Sequence, residues 1–159
     1  MVPRGKKHEP GGVVRSRPPV RTDAKTSLRM ALVRQRDTTA ELAARRALHA
    51  LGHRFRVRNR DLPGSPDIAN RRRHWAVFVH GCFWHRHQGC PRTTTPNRNR
   101  NFWSEKFQAN QERDRRALTQ LRRLGYKAVV VWECETECPE VLVRKLRRLH
   151  KLKKTNNLT

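Results

Sequence analysis

Cys82, His85, His87 and Cys90 fall within nine residues, and Cys134 follows at the end of a distant apolar segment. Sulfur and imidazole donors at this density suit tetrahedral zinc, which takes four of them. With His80 and Cys138 the cluster offers seven candidates. Closed structural sites favour thiolates, so Cys82, His87, Cys90 and Cys134 make a Cys3His set that ties a loop to a core strand and leaves His80 and His85 free. Cys138, beside Pro139, stays open as a replacement for Cys134. Ordinary reduced thiols and surface histidines are the alternative, which the spacing disfavours.

A second constellation centres on Asp67, one of only 13 acids in a chain with 37 Lys and Arg. It follows the turn Pro63-Gly64-Ser65-Pro66, and the apolar run Trp75–Val79 ends beside His80. On composition alone, an Asp here is a turn or cap residue pairing with Arg. The chemical alternative is a Mg2+ ligand facing a scissile phosphate, with a backbone carbonyl at the neighbouring strand's end as a second hard donor. His80 and His85 flank that position. A neutral imidazole takes a proton from an attacking water, and an imidazolium stabilises phosphate charge or the leaving oxygen.

The elements that must position these groups follow from periodicity. Thr38 with Glu41 three residues on forms a capping box for an amphipathic helix through Leu42, Leu48 and Leu51, which Gly52 ends. Before it, residues 28–36 read as a short helix with Met30 and Val33 on one side. Three short strands follow at 55–57, 67–69 and 75–79, the last two linked by a basic turn. Residues 80–101 have no hydrophobic period and hold five Cys or His, as expected of a loop that a metal organises. Helical spacing resumes from Phe102 to Leu124, with Gly125 as the stop. Tyr126–Trp132 reads as a strand buried on both faces, and Val141–Leu149 as a final helix with a basic outer face. The order predicts a mixed-sheet α/β or α+β domain over 28–150. A disordered basic arm over 1–27 precedes it, and a basic tail over 151–159 follows.

With 159 residues and 35% hydrophobic content, the chain fills one modest core. A formal net charge of +24 demands a polyanionic partner, which nucleic acid supplies. No apolar run approaches a membrane span and no signal peptide is apparent, so the expected compartment is the cytoplasm, where cysteines stay reduced.

The string His80-Gly81-Cys82-Phe83-Trp84-His85-Arg86-His87, followed by Cys90, closely resembles the very short patch repair (Vsr) endonucleases, which nick DNA at T:G mismatches. Pro63–Asp67, Phe102-Trp103, Asn110, Glu112-Arg113-Asp114, Leu124–Tyr126 and Val131–Cys134 support the likeness, which runs from about residue 24 to 150. It implies a restriction-endonuclease-like mixed sheet flanked by helices, a structural zinc, and Mg2+-dependent hydrolysis of one phosphodiester beside the mismatched thymine. Asp67 matches the family's metal-binding aspartate and His80 and His85 its active-site histidines. Cys82, His87, Cys90 and Cys134 match its zinc ligands, and Glu41 matches a glutamate near the active site, beside its capping reading. Val79 stands where the family often has Thr and uses the backbone carbonyl as a metal ligand, a group every residue supplies.

By the same likeness Phe83 and Trp84 match an aromatic wedge, and Met30 matches a residue inserted from the opposite groove. Core packing is the alternative for the aromatic pair, which adjacent positions in an irregular loop disfavour, and for Met30, where packing is the commoner outcome. Arg71, Arg72, Arg73, Arg113 and Arg116 read as phosphate contacts or a solvated face. The expected function is a monomeric nicking endonuclease, nucleoid-associated, that starts repair of deaminated 5-methylcytosine beside mismatch-repair proteins and a cognate cytosine methyltransferase. A zinc-stapled DNA-binding module without catalysis, or a same-fold nuclease cutting matched DNA, are the alternatives.

Overall fold

The computed structural model describes residues 36–150, His150 by its backbone alone. The expected arm over 1–27, the segment carrying Met30 and the tail over 151–159 lie outside the described residues. Helix α1 (Thr39–Ala50) opens as its sequence requires: Thr38 Oγ1 accepts the Glu41 N–H at 3.2 Å. The Glu41 carboxylate returns to the Asp37 N–H at 3.1 Å, one residue before the partner a capping box uses. Gly52, at φ +73°, closes the helix, with the Gly52 and His53 N–H groups donating to the His49 and Leu48 carbonyls. That is a Schellman turn, whose left-handed residue favours glycine.

Strands β1 (Arg56–Val57), β2 (Ile68–Asn70) and β3 (Trp75–His80) pair antiparallel, and β4 (Lys127–Trp132) adds to β3 in parallel, giving the order β1-β2-β3-β4. Between β3 and β4 the chain runs through an irregular loop and helix α2 (Arg100–Arg123). A 3-10 turn (Glu133–Glu137), helix α3 (Pro139–Leu146) and a last 3-10 turn (Arg147–His150) complete the described chain. The final helix thus starts earlier than its apolar spacing implies, with Pro139 preset for the first turn.

Strand alternation divides the core. Trp75 and Val77 join Ile68, Val131, Ala44, Leu48, Leu142 and Leu146 beneath α1 and α3, while Ala76 and Phe78 join Ala69, Leu62, Ala117 and Leu121 beneath α2. Each fully buried leucine here contributes about 1.5–3 kcal/mol relative to exposure. By the same alternation His80 faces the α2 side. Burial of β4 on both faces does not hold: Lys127–Val130 are half-buried and only Val131 is buried. Its apolar run is continuous, but β4 ends the strand order, so one edge lacks a neighbour among the described strands. No helix among the described residues is long and apolar enough to cross a membrane.

Candidate active site

The turn before β2 delivers Asp67. Gly64 sits at φ +72°, and a Cβ there would lie 2.4 Å from the Ala117 Cβ, so only glycine lets this turn close against α2. Asn59, buried, donates from Nδ2 to the Arg56 and Pro66 carbonyls at 3.0 and 3.1 Å and fixes the approach. Asp67 Oδ2 then accepts the Val79 N–H at 2.7 Å. The N–H and C=O of one strand residue project from the same edge, so the Val79 carbonyl faces the Asp67 side as well. Burial pushes the Asp67 carboxyl up to about 6, and nearby Glu41 adds to the rise. Glu41 itself is buried, accepts from Thr38 Oγ1 and from Arg45, both at 3.1 Å, and lines the same cleft. Glu41 thus takes part in the helix cap and faces the cleft at once. A partly buried carboxylate beside a strand carbonyl is a hard-oxygen donor set that fits Mg2+.

His80 and His85 stack, with ring centroids 3.8 Å apart and planes 11° off parallel. Both Nδ1 atoms face Asp114 on α2: His85 Nδ1 is 2.5 Å from Asp114 Oδ2, and His80 Nδ1 is 3.9 Å away. Burial, and then the neighbouring His85, pull His80 down to about 4, so it is neutral at pH 7. Asp114 is held below the ordinary carboxylate range: its burial acts upward, but the His85 hydrogen bond, His80 and Arg113 outweigh it. A carboxylate holding one imidazole nitrogen leaves the other free to accept a proton.

Cys82, His87, Cys90 and Cys134 converge, their donor atoms all within 4.8 Å of one another. Cys134 Sγ and Cys82 Sγ lie 3.3 and 3.7 Å from His87 Nδ1. A tetrahedral centre with bonds of about 2.0–2.3 Å has ligand edges of about 3.3–3.8 Å, so the set fits a metal of zinc's size. Burial pushes the Cys134 thiol up to about 12, with its neighbours Cys82 and Cys90 adding to the rise. Cys138 stands apart, exposed, with Sγ 3.2 Å from Glu140 Oε2. Trp132, at the end of β4, joins this cluster to the histidine pair: His87 stacks on it at 4.3 Å and His80 meets it edge-on at 5.5 Å.

Phe83 and Trp84 are half-buried and line a cleft of about 1440 Å³ together with Asp67, Val79, His80 and His85. Phe83 meets Trp84, Trp103 and Phe107 edge-on at 5.0–5.5 Å, so α2 supplies the platform on which the pair rests. Asn110 Nδ2 donates to the Trp84 carbonyl at 3.0 Å, and Lys106 Nζ lies 5.6 Å from the Trp84 ring. Arg113 borders the cleft, whereas Arg116 pairs with Glu112. Arg71, Arg72 and Arg73 are not brought to it; they occupy the β2–β3 turn at the strands' opposite end. Of the groups that converge, Asp114 and Asn110 are those that sequence reasoning left without a role. Their signal is on α2: Phe107, Asn110, Asp114, Ala117 and Leu121 share one helical stripe, and two polar residues interrupt its apolar face.

A family model described as DNA mismatch endonuclease Vsr matches residues 19–92. Type II nicking enzyme V.XorIIP of Xanthomonas oryzae pv. oryzae is 42% identical over 120 residues, covering 76% of this chain and 88% of its own. DNA mismatch endonuclease Vsr of Escherichia coli is 39% identical over 115 residues, 72% of this chain and 73% of its own. Type II nicking enzyme V.NmeAIP of Neisseria meningitidis is 37% identical over 128 residues, 80% of this chain and 91% of its own.

Proposed function

The chain belongs to the Vsr family of DNA mismatch endonucleases, and from that premise we propose that it nicks one strand beside the thymine of a T:G mismatch in a Mg2+-dependent hydrolysis. The observation that carries the reading is the meeting of Asp67, the Val79 backbone, His80, His85 and Asp114 in one aromatic-walled cleft. Asp67 and the Val79 carbonyl would hold Mg2+, which when bound neutralises charge on a scissile phosphate. Asp114 holds His85 Nδ1–H, so His85 Nε2 is the base that takes the proton of the attacking water. His80, neutral and stacked on His85, donates a hydrogen bond to the phosphate and keeps a second positive charge off the base. Phe83 and Trp84 enter the base stack, where a wobble pair lowers the few kcal/mol that unstacking costs. Cys82, His87, Cys90 and Cys134 bind zinc in a closed structural role, and the nick begins repair of deaminated 5-methylcytosine.

The test is strand-resolved cleavage of labelled duplexes carrying T:G or T:A at one position, with and without Mg2+. A Mg2+-dependent nick on the thymine strand of the T:G duplex alone is expected. Binding without cleavage would favour a non-catalytic module, and equal cutting of both duplexes a nuclease indifferent to mismatches.

A further inference from the structure

A second depression, of about 800 Å³, lies at the end of the strands remote from the cleft and is lined by Arg54, Arg56, Arg71, Arg72, Arg73 and Phe55. The six residues of β3 separate it from His80 by roughly 17 Å. All five arginines are exposed. Arg71 pairs with Asp61, and that hydrogen bond holds the Asp61 carboxyl below its ordinary range. Asp61 is the one acid in the stretches 52–61 and 69–74 that build this end. The groove is also fixed in shape. Asn70 donates from Nδ2 to the Arg54 carbonyl at 2.6 Å and accepts the Arg73 N–H on Oδ1 at 2.8 Å, so one side chain joins both arginine-bearing segments. Charge at a short edge strand such as β1 also deters pairing with other chains. That need concerns the strand edge, and it accounts for neither the three arginines of the turn nor the tie through Asn70.

We infer that this groove binds the phosphodiester backbone of a second DNA segment, distinct from the duplex in the cleft. Five exposed guanidinium groups answered by one acid match a duplex that carries a negative charge about every 1.7 Å of its axis. A duplex seated across the cleft end leaves the opposite pole, a strand length away, open to another. The contact is to phosphate and so independent of sequence, as suits passage between segments during a search. The inference rests on the reading of the cleft as a DNA site.

In the test, the full chain is bound without Mg2+ to an immobilised T:G duplex, and capture of a free fluorescent paired duplex is measured across KCl concentrations. Wild type is compared with the variant R54Q/R56Q/R72Q/R73Q, and single-turnover nicking is followed with Mg2+. Wild type is expected to capture the second duplex, and the variant to do so at least tenfold more weakly. The log–log salt slope of capture falls by up to about 3.6, while nicking stays within twofold. R72Q/R73Q, whose changes lie in the turn alone, serves as the milder variant should the fourfold one melt early. No capture by wild type, undiminished capture by both variants, or nicking that falls in step with capture would overturn the second groove. Capture of two duplexes by a wild type that makes no mismatch-dependent nick would support the groove and strike the reading of the cleft.

Discussion

Asp67 combines two properties that can be separated by experiment. Its folded pKa of about 6 exceeds the ordinary 3.8, so the native protein binds this proton more tightly than the unfolded chain does. The stability it contributes is therefore complete below pH 3.8 and lost as pH rises through 6. At neutral pH the ionised, partly buried carboxylate costs on the order of 2 kcal/mol after discounting for its exposure. Asp67→Asn keeps an oxygen to accept the Val79 N–H and removes that charge. Without divalent cations at pH 7.5 it should melt about 4–8 °C above wild type, with the gap gone near pH 4; Mg2+ should raise the melting temperature of wild type only, and nicking should be lost. A variant melting at or below wild type at pH 7.5 contradicts this account. Asp114→Asn should instead leave DNA affinity intact and slow single-turnover nicking by roughly 100-fold or more, because the His85 tautomer is no longer held. The sequence brings Asp67, His80 and His85 to one strand end, but composition alone makes Asp67 a turn residue, and its reading as a metal ligand comes from the family resemblance. Asp114 was not assigned, because a carboxylate on an Arg-rich helix looks like a surface ion-pair partner until its place on the buried stripe is weighed.

At the scale of elements, helix α1 was read well because its caps are local: Thr38 and Gly52 act within a few residues of where they stand. Sheet order was not legible in the same way. The apolar run of β4 reports that its residues resist water, but only the pairing shows that it lies at the sheet's edge. The loop from Gly81 to Asn99 has no regular structure; its first half is held to α2 through Phe83, Asn110 and Asp114, and its second half by the Cys3His group and by Thr93, whose hydroxyl donates to the His87 carbonyl at 2.8 Å. Cys90→Ala, or a strong chelator, should lower the melting temperature and release about one metal per chain. Nicking should fall with it through Trp132, which touches both His87 and His80. Unchanged metal content and melting in Cys90→Ala would exclude the structural role. Gly64→Ala tests the opposite flank of the cleft. It forces a side chain into the left-handed region and against Ala117, so a loss on the order of 3 kcal/mol is expected by urea denaturation. Measured against Ala117→Gly alone, a double variant of equal stability would identify the clash, and any remaining deficit the backbone strain.

The whole molecule carries a formal +24, and this charge acts on DNA whatever its sequence. Residues 1–27 hold seven Lys and Arg against two acids, a local excess of positive charge. Phosphate contacts raise affinity for matched and mismatched duplexes alike, whereas discrimination must come from groups that meet the altered base pair. Deleting residues 1–27 should therefore weaken binding to T:G and T:A duplexes by the same factor. It should lower the log–log salt slope by at most about 6 and leave the ratio of the two affinities and the melting temperature unchanged. Fluorescence anisotropy at several KCl concentrations measures all but the last. A ratio that shifts toward unity would mean that the arm takes part in sensing the mismatch, and recognition would then extend beyond the Phe83–Trp84 wall. An unchanged slope would instead mean that the arm's cations never reach phosphate, and that Lys and Arg beyond residue 27 supply the electrostatic attraction.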